Sequence, residues 1–334
     1  MSRSVTLGIT IGDVGGIGPE VAVKAVHADP WPSRLRLVLI GSQRIVAEEC
    51  ALHGWDAPPL WNGSGTPPDG VSVWEPVAVL RLRRRPGRSW PDASRLAAEW
   101  IRAAAAACQR GPLDGMVTAP ISKAGLRAAG IEFPGHTEML ASLTGAGRFA
   151  MMLLGGPLRV VVATRHIALS KVPGELTTRR IVEAVELAAE GLAWLGEENR
   201  TIAVCALNPH AGEGGGMGAE ETTVIEPALR LLRREHIPVA GPVPADVAFH
   251  YAVQGRYGAV VAMYHDQGLA PLKTIAFDSG VNLTLGLPIV RTSPDHGTAF
   301  DIAGKGIASP GSMVAAIRLA AELAQRPNPW RRTA

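Results

Sequence analysis

Residues 5–28 read VTLGITIGDVGGIGPEVAVKAVHA. An apolar run ends at Gly12, Gly12, Gly15, Gly16 and Gly18 crowd the next few positions, and Pro19-Glu20 suits the first turn of a helix. The order is strand, tight turn, helix, which is the repeating unit of an α/β protein. The glycines do not follow G-x-G-x-x-G, so the Rossmann dinucleotide fingerprint fails on spacing. The same alternation continues downstream. LRLVLIG (35–41) precedes a helix near Ser42 to Gly54, and ASRLAAEWIRAAAAACQR (93–110) precedes DGMVTAP (114–120). LRVVVAT (158–164), TIAVCAL (201–207) and GAVVAMYH (258–265) are nearly continuous apolar runs, as expected of parallel strands covered on both faces. The expected class is an α/β/α sandwich. Pro58 to Gly70 reads as an irregular loop, and no internal repeat is visible.

With 334 residues, 47% of them hydrophobic and 19% charged, the chain can bury a large core and has the length of two domains. Net charge is only +3. The basic cluster Arg81, Arg83, Arg84, Arg85 and Arg88 lacks interleaved aromatics and reads as a solvated face, so nucleic acid is not expected as a partner. Cys50, Cys108 and Cys205 have no metal or redox spacing, which suits buried thiols in a reducing compartment. Neither a secretory leader nor a spanning segment is evident, so the expected location is cytoplasmic, away from membranes.

Three constellations carry chemistry. First, three strand-like runs each end in a polar loop with a histidine: His166, His210 and His265. Ligand crevices of parallel sheets lie beyond the carboxyl ends of the strands, so these imidazoles either converge on one divalent metal, within one subunit or at facing sites of two, or each merely hydrogen-bonds its own loop. Second, in EFPGHTEML (132–140) His136, Thr137 and Glu138 sit at a turn into a helix, after MVTAPISK (116–123) with Thr118, Ser122 and Lys123. This suits either an anion such as phosphate or a plain N-cap by Thr137. Third, Lys273, Asn282 and Arg291 lie along apolar strand and turn residues, facing either a ligand or a single surface ion pair.

Taken together, GDVGGIGPE (12–20), GHTE (135–138), ATRHIALSKVP (163–173), LNPHAGEGGGMGAEE (207–221), GPVPAD (241–246), MYHDQGLAPLK (263–273) and GVNLTLGLPIVRTSPDHGTA (280–299) resemble, in order, the 4-hydroxythreonine-4-phosphate dehydrogenase family of vitamin B6 biosynthesis. The family usually has proline where this chain has Val14. The resemblance implies an isocitrate/isopropylmalate dehydrogenase-like fold of two α/β/α lobes with the active site in the cleft. Residues 1–130 with 285–334 form the expected cofactor-side lobe, and 131–284 the metal, substrate and dimerisation lobe. It further implies that His166, His210 and His265 hold one divalent ion (Zn, Mg or Co) at a homodimer interface. His136, Thr137, Lys273, Asn282 and Arg291 would contact a phosphorylated four-carbon hydroxy acid. The run 295–310 resembles the adenosine loop of isopropylmalate dehydrogenases. Asp295, His296, Gly297, Thr298 and Asp301 would then bind NAD, with the Asp301 carboxylate disfavouring NADP.

The implied reaction is NAD- and metal-dependent oxidation of 4-phosphohydroxy-L-threonine to 2-amino-3-oxo-4-phosphooxybutanoate, which decarboxylates to 3-amino-2-oxopropyl phosphate. Lys273, or Asp246 through a water, would be the base, and His136 would assist at the phosphate. Oxidation of D-threonate or D-erythronate 4-phosphate is the alternative. A non-redox metal-dependent phosphate-ester enzyme or a sugar-phosphate binding protein is more remote.

Overall fold

The computed structural model describes residues 3–28, 30–78 and 83–331, so Arg81 lies outside the described residues. In chain order the strands are β1 (Val5–Thr10), β2 (Leu35–Ile40), β3 (Val71–Trp74), β4 (Gly115–Thr118), β5 (Ala150–Gly155), β6 (Leu158–Val162), β7 (Ile202–Cys205), β8 (Val239–Val243), β9 (Ala259–Ala262), β10 (Val281–Leu285) and β11 (Val290–Pro294). The helices are α1 (Gly18–His27), α2 (Gln43–Leu52), α3 (Pro91–Arg110), α4 (Lys123–Ala128), α5 (His136–Thr144), α6 (Val172–Glu175), α7 (Thr178–Trp194), α8 (Glu226–Arg234), α9 (Ala245–Val253), α10 (His265–Ala276) and α11 (Gly311–Leu323). The chain divides into two compact units, Met1–Gly147 with Leu287–Ala334, and Arg148–Gly286. Residues 131–147, including His136 and Thr137, belong to the first unit.

In the first unit the strand order is β3-β2-β1-β4-β11, every pairing parallel. All six residues of β1 are buried, which explains why it carries no charged side chain: helices α1, α3 and α11 pack against the sheet. Burying each of Leu7, Ile9 and Ile11 stabilises by about 1.5–3 kcal/mol before entropy is counted. The turn after β1 is tight. Gly12 has φ of 71°, and a Cβ there would stand 2.4 Å from the Pro120 carbonyl oxygen, so only glycine fits. Pro19 then sits in the first turn of α1, where no amide donor is needed. The long helix α3 buries Trp100, Ile101, Ala104 and Cys108 and stops at Gly111 in the left-handed region.

In the second unit the order is β10-β5-β6-β9-β7-β8. Strands β10, β5 and β6 pair antiparallel, whereas β6, β9, β7 and β8 pair parallel. Its core joins Leu153, Val160, Ala203, Val260, Phe249 and Leu272, contributed by both the sheet and the helices α9 and α10. The mixed α/β class read from the alternating pattern is the class found.

Three local expectations need correction. Arg84 is not part of a solvated face: its side chain is 8% exposed and pairs with buried Glu49, while Arg83, Arg85 and Arg88 are exposed. Lys273 lies on α10, not on a strand or turn, because HDQGLAPLKTIA continues helically through Pro271. Thr137 does not cap α5, since Gly135 holds the N-cap position and no side chain bonds there.

Candidate active site

The first unit gathers a dry polar cluster at the last residue of β4 and the first residues of β11. Arg291, on β11, is 2% exposed, and its guanidinium donates to Thr118 Oγ1 at the end of β4 from Nε (3.2 Å) and Nη2 (2.7 Å). Register explains the meeting: Thr292 pairs with Val117 in the parallel ladder, so Arg291 and Thr118 flank the same rung. Burial pulls the guanidinium down to about 10, and nearby Glu138 partly opposes that shift. His136 opens α5, and burial first, then the charges of Arg291 and Lys123, hold its imidazole well below the usual histidine range. It is neutral at neutral pH, and its Nε2 is buried with no hydrogen-bond partner. A buried unpaired imidazole nitrogen beside two cations costs free energy unless a ligand completes it. An anion with protons to share or accept fits, and phosphate is such an anion. Thr137 is buried in the same turn.

Asp13 in the glycine turn, whose amide donates to the Pro120 carbonyl (2.9 Å), is fully buried. Burial raises its carboxyl above the ordinary range, against hydrogen bonds from Ser89 Oγ (2.5 Å) and the Gly15 amide (2.9 Å). The run 295–301 follows β11. The Asp295 amide donates to Ser312 Oγ (3.1 Å), Nδ1 of His296 pairs with the Gly297 carbonyl (3.1 Å), Gly297 and Asp301 are exposed, and Thr298 is half-buried.

The second unit carries the three histidines. The His166 and His265 rings tilt against each other at 5.3 Å between centroids and line a cavity of about 390 Å³ with Thr164, Ile167, Leu169, Val172, Tyr264 and Asp266. His265 is the first residue of α10, and its Nδ1 pairs with Asp266 Oδ1 at 2.6 Å, which leaves Nε2 for a metal. His210 pairs in the same way with Glu213 Oε1 (2.6 Å); that bond and charge, with a smaller contribution from Asp246, raise its affinity for protons. Among the described residues, however, no three His, Cys, Asp or Glu side chains stand close enough to enclose an ion. The donor chemistry fits a divalent metal, with two imidazoles together and the third held elsewhere on the unit.

The loop of His210 is strained. His210, Ala211 and Glu213 have φ of 52°, 56° and 44°, and with Gly212 and Gly214 they make a left-handed run. Glu221, which sequence reasoning passed over, anchors the start of that loop: its buried carboxylate accepts from the Leu207 amide (2.9 Å), the Asn208 amide (2.8 Å) and Asn208 Nδ2 (3.0 Å). Burial works to raise this carboxyl, but those donors outweigh it and the net shift is downward. The only sequence signal was an acid 13 residues beyond Asn208 in a glycine-rich run. Of the remaining candidates, Asn282 on β10 keeps its Oδ1 buried without a partner, Lys273 Nζ lies 5.8 Å from the Phe277 ring centre, and Asp246 is exposed at the start of α9.

Residues 34–320 match the family described as pyridoxal phosphate biosynthetic protein PdxA. The chain belongs to this family. A relative from Geobacter metallireducens, 4-hydroxythreonine-4-phosphate dehydrogenase, is 44% identical over 322 residues, covering 95% of each chain. D-threonate 4-phosphate dehydrogenase of Bordetella bronchiseptica is 40% identical over 331 residues, covering 97% of this chain and 93% of that one. The crystal structure of 4-hydroxythreonine-4-phosphate dehydrogenase from Klebsiella pneumoniae superimposes with a TM-score of 0.84 at 37% identity, over 98% of this chain and 99% of the other. Among the described residues no helix is long and apolar enough to cross a membrane.

Proposed function

We propose that the chain is a nicotinamide-dependent dehydrogenase of this family that oxidises the C3 hydroxyl of 4-phosphohydroxy-L-threonine. The hydroxyl proton passes to a base and the C3 hydride to NAD. The product, 2-amino-3-oxo-4-phosphooxybutanoate, then loses its carboxylate as carbon dioxide, leaving 3-amino-2-oxopropyl phosphate. The observation that carries the reading is the buried Arg291–His136 pair with its vacant imidazole nitrogen, set in a chain whose relatives are named for phosphorylated hydroxy acids.

Each group has a stated task. Arg291, His136 and Thr137 bind the phosphate and so fix the distance from it to the reacting carbon. Asn282 offers its unpaired carbonyl oxygen to a substrate donor. Lys273, half-buried on α10, takes the hydroxyl proton; Asp246 acting through a water is the other candidate base. His166 and His265 of one chain, with His210 of a second copy, would hold a divalent ion (Zn, Mg or Co), which supplies Lewis acidity at the substrate hydroxyl. The catalytic form is therefore a homodimer. Asp295, His296, Gly297 and Thr298 line the dinucleotide, and exposed Asp301 accepts from the ribose hydroxyls while repelling a 2′-phosphate, which favours NAD over NADP. The three cysteines are free and buried, which suits a reducing cytoplasmic setting.

The nearly equal likeness to the Bordetella enzyme supports a second reading, oxidation of D-threonate or D-erythronate 4-phosphate by the same groups. Parallel NADH-formation assays at 340 nm on the amino acid phosphate and on the two sugar-acid phosphates separate them. Turnover of 4-phosphohydroxy-L-threonine is the expected result. Activity on the sugar acids alone moves the assignment to the second reading, and no NADH from any of the three overturns both.

A further inference from the structure

The glycine turn and helix that open the chain are not a nucleotide cradle, yet they touch the 295–308 loop at both of its ends. At the near end the Ile17 amide donates to the Thr298 carbonyl (2.9 Å), and a Cβ on Gly16 would stand 2.6 Å from that same oxygen. At the far end Glu20, with no exposed surface, accepts through Oε1 from the Ala308 amide (2.7 Å) and from Lys24 Nζ (2.8 Å). Lys24 Nζ spends its other two protons on the carbonyls of Gly306 (2.7 Å) and Ala308 (2.9 Å). All three ammonium donors are thus used on fixed acceptors, two of them loop backbone.

Between these anchors the loop has little of its own to hold it. Its internal backbone bonds, Ile302 to Ala299 and Lys305 to Ile302, are both 3.2 Å, and Ala299, Gly304 and Gly306 all have positive φ. A loop of that kind takes its shape from what grips its ends. A buried ion pair is in any case a weak device for stability, because desolvation offsets most of its Coulomb energy. Its three bonds to one loop are what a pure stability role leaves unexplained.

We infer that Glu20 and Lys24, with the Gly16–Ile17 turn, are positioning residues for the dinucleotide: they pre-form the 298–308 loop so that binding does not have to order it. This rests on the reading that the adenosine half of NAD lies along Thr298 and Asp301. The brace acts on dinucleotide affinity and leaves the phosphorylated substrate and the chemical step alone.

The test uses the full-length enzyme and a double variant, Glu20→Gln with Lys24→Met, in which neither charge is left buried alone. Gly16→Ala is a second, independent variant that pushes on Thr298 without touching the pair. The NADH Kd by fluorescence and the KM for NAD are expected to rise about tenfold in each, the scale of losing one or two loop anchors. The KM for the phosphorylated substrate and kcat at saturating NAD should stay within about twofold. Hydrogen exchange of amides 298–308 without ligand should quicken in the variants. A lower melting temperature with unchanged NADH affinity, or unchanged loop exchange, overturns the inference. The parent reading is checked separately in the unmodified enzyme: if NADH does not slow exchange at 298–308, the dinucleotide lies elsewhere and that reading fails whatever the variants do.

Discussion

The Arg291–His136 cluster and the His210 loop are both candidate ligand sites, and they are built in opposite ways. The first is dry and held by two paired strands and the start of α5, with its cation already oriented by Thr118. The second is exposed and strained, and its histidine stands apart from the His166–His265 pair. Set side by side, they separate what paired strands fix from what a loop leaves open. On the proposed reading a phosphate cradle needs fixed, desolvated donors, and the first unit supplies them from β4, β11 and the start of α5. The His210 loop is exposed and left-handed, as expected if, on the proposed reading, its imidazole completes a site only with an ion and a second copy.

The hardest way to break this contrast is to remove the third imidazole and then return it from another chain. His210→Ala should lose metal, as measured on the dialysed protein, and turnover should fall by several kcal/mol of lost stabilisation, about 10³-fold. His166→Ala should do the same. If His210 serves a neighbouring chain, mixing the two inactive proteins after reversible dissociation gives heterodimers with one intact site. Activity then returns to about a quarter of the unmodified value. No recovery from a mixture proven to contain heterodimers defeats the shared site, and full activity in His210→Ala defeats the metal assignment itself.

A smaller effect tests the dry cluster. Arg291→Met should raise the KM for the phosphorylated substrate about 10²-fold, the worth of one or two charge-assisted bonds, with a much smaller change in kcat. Stability should move the other way. A guanidinium pulled down to about 10 by burial is carried at a cost in the free protein, and methionine removes that cost while keeping most of the packing. A higher melting temperature with a ruined KM identifies a residue kept for its ligand. A lower melting temperature with unchanged KM makes it structural.

Much of this was legible in the chain, for reasons that differ by element. The β1–α1 unit announced itself because VTLGIT is buried on both faces and Pro19 suits the first turn of a helix. The paired His166 and His265 were legible because parallel strands deliver their following residues to one edge. Lys273 was misplaced on a strand because Pro271 interrupts the helical pattern, yet α10 tolerates it. Arg84 looked solvated because sequence shows neighbours along the chain, not Glu49 across the fold. Glu221 was missed for the same reason: its work is done on backbone amides 13 and 14 residues away, and amides carry no sequence signature.

The smallest expected effect concerns protons. His136 binds its proton more weakly in the folded protein than in the unfolded chain, so below about pH 6.5 the unfolded state takes up a proton that the native state refuses. Stability should therefore fall on acidification, by up to about 1.4 kcal/mol per pH unit for this one group, until the buried imidazole itself protonates. Exposed His210, whose shift is upward, works in the opposite direction but contributes equally to any pair of proteins that both retain it. Subtracting the urea-unfolding curve of His136→Gln from that of the unmodified protein between pH 7 and pH 5 isolates the one group. The difference should shrink when inorganic phosphate is added, because a dianion against the ring raises its proton affinity toward that of the unfolded chain. A difference that does not change with pH would mean that the imidazole is solvated, and the dry cradle would lose its defining member.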